Sequence, residues 1–287
     1  MTEDLLVACL ATKRNSGAQN MINSLTMNKW RFEIFGLGQE WHGFTTKIKA
    51  YLKFIQSQPS KTILVLVDCF DALCVRKPDG FVNLFKSFNA DIVVGAEGRW
   101  GLHSEKLVNQ WVNKAHHGYP YVNSGFVVGR VDALQEMYQW AAKENIKDDQ
   151  VAVSKYINSH PEVNVELDGK HLFVFNDNNL DIRHTSFDSK DGLIHVTRFG
   201  SQANPYFVHF PAFLIPRSLF GFSQPRGQIP LKHYDFVGKY VLGNDFIEVG
   251  QVDQRAHFGF NVFVWILFVL VVFLIVLLAL TPLYVNK

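Results

Sequence analysis

The sequence predicts an α/β sandwich with a mostly parallel central sheet, and three observations carry that prediction. Continuous apolar runs rich in β-branched residues occur at 5–11 and 63–67, and a run with no polar position suits a strand buried on both faces. Segments with apolar residues at helical spacing lie between such runs, and strands alternating with helices build this class of fold. The run 63–67 also stops abruptly at Asp68, and a second carboxylate follows at Asp71. Open α/β sheets bind ligands beyond the C-terminal ends of their strands, so this end is the first place to look for chemistry.

The elements follow in order. A strand is expected at 5–11, a helix at 19–27 and a strand at 31–35, after which Gly36-Leu37-Gly38 makes a turn. Residues 46–56 space Ile48, Tyr51, Leu52 and Ile55 at helical period and form an amphipathic helix. The strand 63–67 comes next, then a helix at 80–88 and a short strand at 91–95 that ends in Ala96-Glu97. Asn123-Ser124-Gly125-Phe126-Val127-Val128-Gly129 precedes a helix at 131–144, whose apolar face carries Leu134, Met137, Tyr138 and Ala141. Asp148-Asp149-Gln150 opens a further helix through Tyr156. Beyond about residue 165 the pattern loosens into short strands and loops, and the Pro/Gly-rich tract 210–230 reads as a loop or linker.

Composition narrows the class. A chain of 287 residues with 48% hydrophobic content can bury one large core or two small ones, and 19% charge with 14% aromatics excludes disorder. The formal net charge of +2, without any block of Lys and Arg, argues against nucleic acid as a partner. Cys9, Cys69 and Cys74 are odd in number and unpatterned, which suits reduced thiols rather than a disulfide framework.

Residues 262–280 hold no charged side chain, and Trp265 supplies the one side-chain hydrogen-bond donor. At helical rise this run covers roughly 28 Å, close to the hydrocarbon thickness of a bilayer. Thr281-Pro282 closes it, and Trp265 and Tyr284 suit the two interfaces. The start, Met1-Thr2-Glu3-Asp4, is acidic and lacks the basic region of a signal peptide. The expectation is therefore a tail anchor, with residues 1 to about 255 facing the cytosol and no Asn-x-Ser/Thr acceptor site among them. The expected organisation is a folded domain at 1–245, a juxtamembrane linker at 246–259 and a transmembrane helix at 260–284.

Asp68 and Asp71 at one strand end would repel each other unless a cation lay between them. The pair points to a divalent metal holding a phosphorylated substrate. A plainer reading has Asp68 capping the next segment and Asp71 in solvent.

Several landmarks stand in one order. Gly36-Leu37-Gly38-Gln39-Glu40-Trp41-His42-Gly43 precedes a Lys-rich helix. Val67-Asp68-Cys69-Phe70-Asp71, Ala96-Glu97, Asn123-Ser124-Gly125, Asp148-Asp149-Gln150, Leu167-Asp168 and Val208-His209 follow. This set resembles the glycosyltransferase domain of the procollagen lysyl hydroxylases and related collagen glycosyltransferases, from residue 5 to about 241. The resemblance implies a GT-A type nucleotide-sugar-binding sandwich. It also implies Mn²⁺ or Mg²⁺ as cofactor, a UDP-sugar as donor, and transfer of a hexose (glucose or galactose) to a hydroxyl acceptor on protein or glycan.

Carried over by position, Asp68 and Asp71 match the family's metal-binding Asp-x-x-Asp, and His209 matches its third ligand. Two carboxylates and one imidazole suit Mn²⁺. Standing alone, His209 reads first as a satisfied core histidine. Thr12 and Lys47 match positions lining the nucleotide pocket, and Trp41 reads as packing. Asn123, Ser124 and Gly125 fall beside the sugar, where close backbone approach favours glycine. Asp148 and Asp149 match the acidic pair near the transferred sugar and acceptor, able to orient donor hydroxyls or to act as a general base. The same two residues suit the N-terminus of a helix. Glu97 and Trp100 fall toward the acceptor side. The sequence departs from the family after His209, where Phe210-Pro211-Ala212 replaces a Gly-Asn-Gly run. That departure leaves room for a catalytically degenerate, membrane-tethered domain that binds nucleotide-sugar or glycan. A phosphohydrolase using Asp68 as nucleophile fits less well, because its second Asp belongs two residues on rather than three.

Overall fold

The computed structural model describes residues 4–97, 119, 121–177, 185–211 and 228–249, all within one compact unit, Met1–Gly250. Its strands are β1 (Leu5–Leu10), β2 (Phe32–Phe35), β3 (Ile63–Asp68), β4 (Ala72–Cys74), β5 (Ile92–Glu97), β6 (Tyr121–Arg130), β7 (Val165–Asp168), β8 (Val174–Asn176), β9 (Thr185–Lys190), β10 (Leu193–Arg198), β11 (Ser201–Ala203) and β12 (Phe207–His209). Its helices are α1 (Ser16–Met27), α2 (Phe44–Gln56), α3 (Phe81–Ser87), α4 (Val131–Lys143), α5 (Asp149–Ser159) and α6 (Gln228–Leu242).

The main sheet runs in the order β2-β1-β3-β6-β5-β7. β1 pairs in parallel with β2 and β3, β5 pairs in parallel with β7, and β6 is antiparallel to both β3 and β5. Five strands therefore point one way and β6 the other, which makes the sheet mostly parallel as expected. Because β6 runs backwards, its first residues lie beside the last residues of β3 and β5. Asn123 stands opposite Gly95, while Phe126 stands opposite Val67. Between the Val94–Val127 and Gly95–Asn123 pairs the β5–β6 register shifts, so Ser124, Gly125 and Phe126 have no partner on β5, while Phe126 keeps its pairing with β3. A bulge re-aims side chains, and this one lies at the end of the sheet that carries the acids.

β1, β3 and β5 are buried on both faces, as their unbroken apolar runs require, whereas the edge strand β2 is only partly covered. Leu64 and Leu66 of β3 face a core shared with Ile48, Tyr51 and Ile55 of α2, Leu134 and Met137 of α4, and Tyr156 of α5. Ile63, Val65 and Val67 face the opposite core with Met21 and Leu25 of α1 and Phe81 and Phe85 of α3. Each such side chain is worth about 1.5–3 kcal/mol on burial. The expected helices and strands appear with ends moved by a few residues, and Cys9, Cys69 and Cys74 are all free and buried.

After β7 the chain builds two small sheets, β11-β10-β9 and, with β4 from the first half of the chain, β4-β12-β8. The second matters most for the site, because β12 enters between β4 and β8. A third core joins these sheets to α6 through Leu73, Phe175, Val208, Phe210, Tyr234 and Val237. Most of the tract 210–230, Trp100 and the apolar segment 260–284 lie outside the described residues. Among the described residues no helix is long and apolar enough to cross a membrane.

Candidate active site

Asp68 is the last residue of β3, and the chain turns through Cys69 and Phe70 to place Asp71 just before β4. Gly17 of α1 lets that turn sit close, since a Cβ there would stand 2.1 Å from the Phe70 carbonyl oxygen. His209 ends β12, where the register sets it beside Ala72 on one side and Asn176 on the other. Phe210 N–H donates to the Asp71 carbonyl at 2.7 Å, and Asp177 N–H donates to the His209 carbonyl at 2.8 Å. Strand pairing thus brings two carboxylates and an imidazole from distant parts of the chain to one point.

Ligand atoms of Asp68, Asp71 and His209 all lie within 4.8 Å of one another. His209 Nε2 stands 3.5 Å from Asp71 Oδ1 and 3.8 Å from Asp68 Oδ2. Nε2 is buried and makes no hydrogen bond among the described residues. A buried polar atom without a partner is costly, and a cation held with the two carboxylates would satisfy it. Two carboxylates and one imidazole form a donor set that can hold a divalent cation. Burial acts to lower the basicity of His209, but the Asp71 and Asp68 carboxylates outweigh it and hold the ring above its usual range. Gly125, in the bulge, makes room for that ring, for a Cβ there would lie 2.2 Å from Cε1.

Lys47 of α2 reaches into the same place. Its Nζ lies 2.6 Å from Asp68 Oδ1 and 2.6 Å from Asp149 Oδ2, with the Ser124 carbonyl at 3.5 Å. Burial pulls the ammonium down, yet the Asp149 and Asp68 charges outweigh this and keep it well above its ordinary value. Ser124 Oγ donates to Asp149 Oδ2 at 2.8 Å. Asp148 caps α5 by accepting from Val151 N–H at 2.9 Å, so the cap reading holds for Asp148, while Asp149 is the member of the pair that meets Lys47 and Ser124. Partial burial raises the Asp148 carboxyl above the usual range.

A second layer surrounds the bulge. Asn123 Nδ2 donates to Glu97 Oε2 at 2.9 Å, and Gln150 Nε2 donates to Glu97 Oε1 at 3.2 Å. Asn123 Oδ1 accepts from Gly125 N–H at 2.9 Å, which holds the bulge in shape. Burial pushes the Glu97 carboxyl up to about 7, against the downward pull of the Asn123 hydrogen bond. In the sequence Glu97 stands at a strand end and toward the acceptor side, and Gln150 enters only within the Asp148-Asp149-Gln150 landmark; Asn176 carries no signal of its own.

Other expected positions are less central. Thr12 follows β1, and its carbonyl accepts from Gly38 N–H at 2.9 Å, which ties the Gly36-Leu37-Gly38 turn to the strand end. Gly36 and Gly38 both take positive φ, of 84° and 79°, a conformation glycine adopts without strain. Trp41 is 43% exposed, with the Phe44 ring edge-on at 5.7 Å, so it does not pack into the described cores. Asp168 accepts from the backbone N–H groups of Leu172, Phe173 and Val174 at 2.8, 2.7 and 2.9 Å and organises the turn into β8. Phe210, where glycine stands in the resembling family, is buried edge-on against Tyr234 at 5.2 Å. That position serves the third core.

A family model described as PLOD GT domain matches residues 1–212. Procollagen-lysine,2-oxoglutarate 5-dioxygenase 2 of Mus musculus is 29% identical over 182 residues, which cover 58% of this chain and 24% of that protein. A multifunctional procollagen lysine hydroxylase and glycosyltransferase of Caenorhabditis elegans is 23% identical over 290 residues, covering 91% of this chain and 37% of that protein. The chain thus spans about a quarter of the length of the mouse relative it matches. Among solved structures, a glycosyltransferase involved in glycosylation of the major capsid of PBCV-1 aligns with 14% identity and a TM-score of 0.46, over 81% of this chain and 99% of that one. With a family model spanning most of the described unit, the chain belongs to the PLOD GT domain family.

Proposed function

We propose that this chain is a metal-dependent glycosyltransferase of GT-A type, which moves a hexose (glucose or galactose) from a UDP-sugar to a hydroxyl on protein or glycan. The observation that carries the reading is the cluster of Asp68, Asp71 and His209 at the C-terminal end of β3, with His209 Nε2 buried and unpartnered. These three residues would hold Mn²⁺ or Mg²⁺, and such an ion supplies Lewis-acid neutralisation of the departing diphosphate.

The protein's own groups divide the remaining work. Lys47 sets one ammonium against both Asp68 and Asp149 and so offsets their mutual repulsion. Asp149, held by Lys47 and Ser124, is fixed for hydrogen bonds to the transferred sugar. Asp148 is half-buried with a raised pKa, which suits it to take the proton of an acceptor hydroxyl. Asn123 and Gly125 keep the bulge open beside this place. The apolar segment 260–284 is proposed to tether the domain to a membrane.

The test is release of UDP by the purified chain from a panel of UDP-sugars with Mn²⁺. Slow hydrolysis of one donor, abolished by EDTA and by Asp71→Asn, is the expected result. Tight UDP binding with no turnover of any donor, even with acceptors supplied, would turn the reading toward a binding domain.

A further inference from the structure

His209 has two ring nitrogens, and only one faces Asp68 and Asp71. Which nitrogen carries the proton of the neutral ring decides whether that face can bind a cation at all. The neighbouring strand answers the question. Asn176 Nδ2 donates to the Ala96 carbonyl at 2.9 Å, and a carbonyl oxygen can only accept. The amide is therefore oriented with its oxygen away from Ala96, 2.8 Å from His209 Nδ1. An amide oxygen can only accept, so Nδ1 must bring the hydrogen. The lone pair is then left on Nε2, the atom without a partner.

From this chain of contacts we infer that Asn176 is a positioning residue, which fixes the His209 tautomer and ring plane so that Nε2 is presented as a ligand. The inference rests on the metal-dependent reading above. Asn176 is itself held rigidly. It is fully buried, β8 and β12 pair it with His209, and its carbonyl accepts from Arg198 Nη2 at 2.9 Å. Gly95 clears its flank, since a Cβ there would come within 3.1 Å of Nδ2. A neutral amide also orients the ring without adding a further anion beside Asp68, Asp71 and Asp149.

The experiment uses the full chain and reads Mn²⁺ binding by calorimetry, with His209→Ala as reference. Asn176→Leu keeps the volume and removes the acceptor, and is expected to weaken Mn²⁺ about 10- to 100-fold. Asn176→Asp keeps an acceptor toward Nδ1 and is expected to bind Mn²⁺ within a few-fold of the unsubstituted chain, even if its fold is less stable. A role in stability alone would not separate the two variants in this order. ¹⁵N spectra of the metal-free protein, at a pH where the ring is neutral, are expected to show Nδ1–H. Unchanged Mn²⁺ affinity in Asn176→Leu, or Nε2–H in the unsubstituted chain, overturns the inference. Failure of the metal reading looks different: His209→Ala and the unsubstituted chain then take up Mn²⁺ equally or not at all, while the ¹⁵N spectrum still reports on Asn176.

Discussion

Gly125 and His209 are packed so closely that a single added methyl on the glycine would lie inside the imidazole, 2.2 Å from Cε1. Gly125→Ala is therefore expected to push the ring off the line to Asp68 and Asp71. Mn²⁺ affinity should fall at least about tenfold, with a stability loss of about 1–3 kcal/mol from overpacking. Calorimetric titration of Mn²⁺ checks this, and unaltered affinity would contradict it.

Lys47 is the cation between Asp68 and Asp149, and both distances are 2.6 Å. Lys47→Met leaves the Asp149 charge buried without its partner, which is expected to cost about 3 kcal/mol in urea unfolding. Combining it with Asp149→Asn should recover part of that loss. If the double variant is no more stable than the single, the two residues do not act as a pair.

Glu97 links stability to pH. Its carboxyl rises from 4.5 to about 7 in the folded protein, chiefly through burial. Folding therefore takes up a proton between these values. The stability it brings is full at low pH and is lost as pH rises through about 7. Thermal unfolding of the unsubstituted chain should decline relative to Glu97→Gln across this window and run parallel above it. Parallel curves throughout would mean that Glu97 keeps an ordinary pKa.

Asp168 gathers three backbone N–H groups in the turn that leads into β8. Asp168→Ala strands these donors in a buried place and is expected to cost about 3 kcal/mol or more. Asp168→Asn, which keeps an acceptor oxygen, should cost less. Because β8 carries Asn176, Mn²⁺ affinity should fall alongside stability.

The segment 260–284 gives a prediction of its own. The full chain should stay with bilayers through an alkaline carbonate wash, and a chain ending at residue 250 should be released. Release of both would remove the anchor.

Much of the main sheet is legible in the sequence, because a two-sided strand must be apolar at every position. The run 63–67 and its terminal Asp68 show this plainly. The expected strand at 91–95 stops early because Glu97 looks like a surface acid, yet Asn123 and Gln150 enclose it. Helix α6 is not legible at all, since Pro230 and Gly238 break its pattern. Packing supplies the reason for the glycine: a Cβ there would lie 2.1 Å from the Phe246 ring. The two aspartates of the candidate site can be read from their strand end, and His209 only through a resemblance. Asn176 is invisible to any local pattern, because its role arises when residues far apart in the chain become strand neighbours.

β12 is the middle strand of the β4-β12-β8 sheet, although it is the last of the three to be made. A chain halted before Phe207 has both aspartates but lacks His209 and the strand that lies between β4 and β8. The three-residue set is therefore complete only once the last strand of the fold has been made.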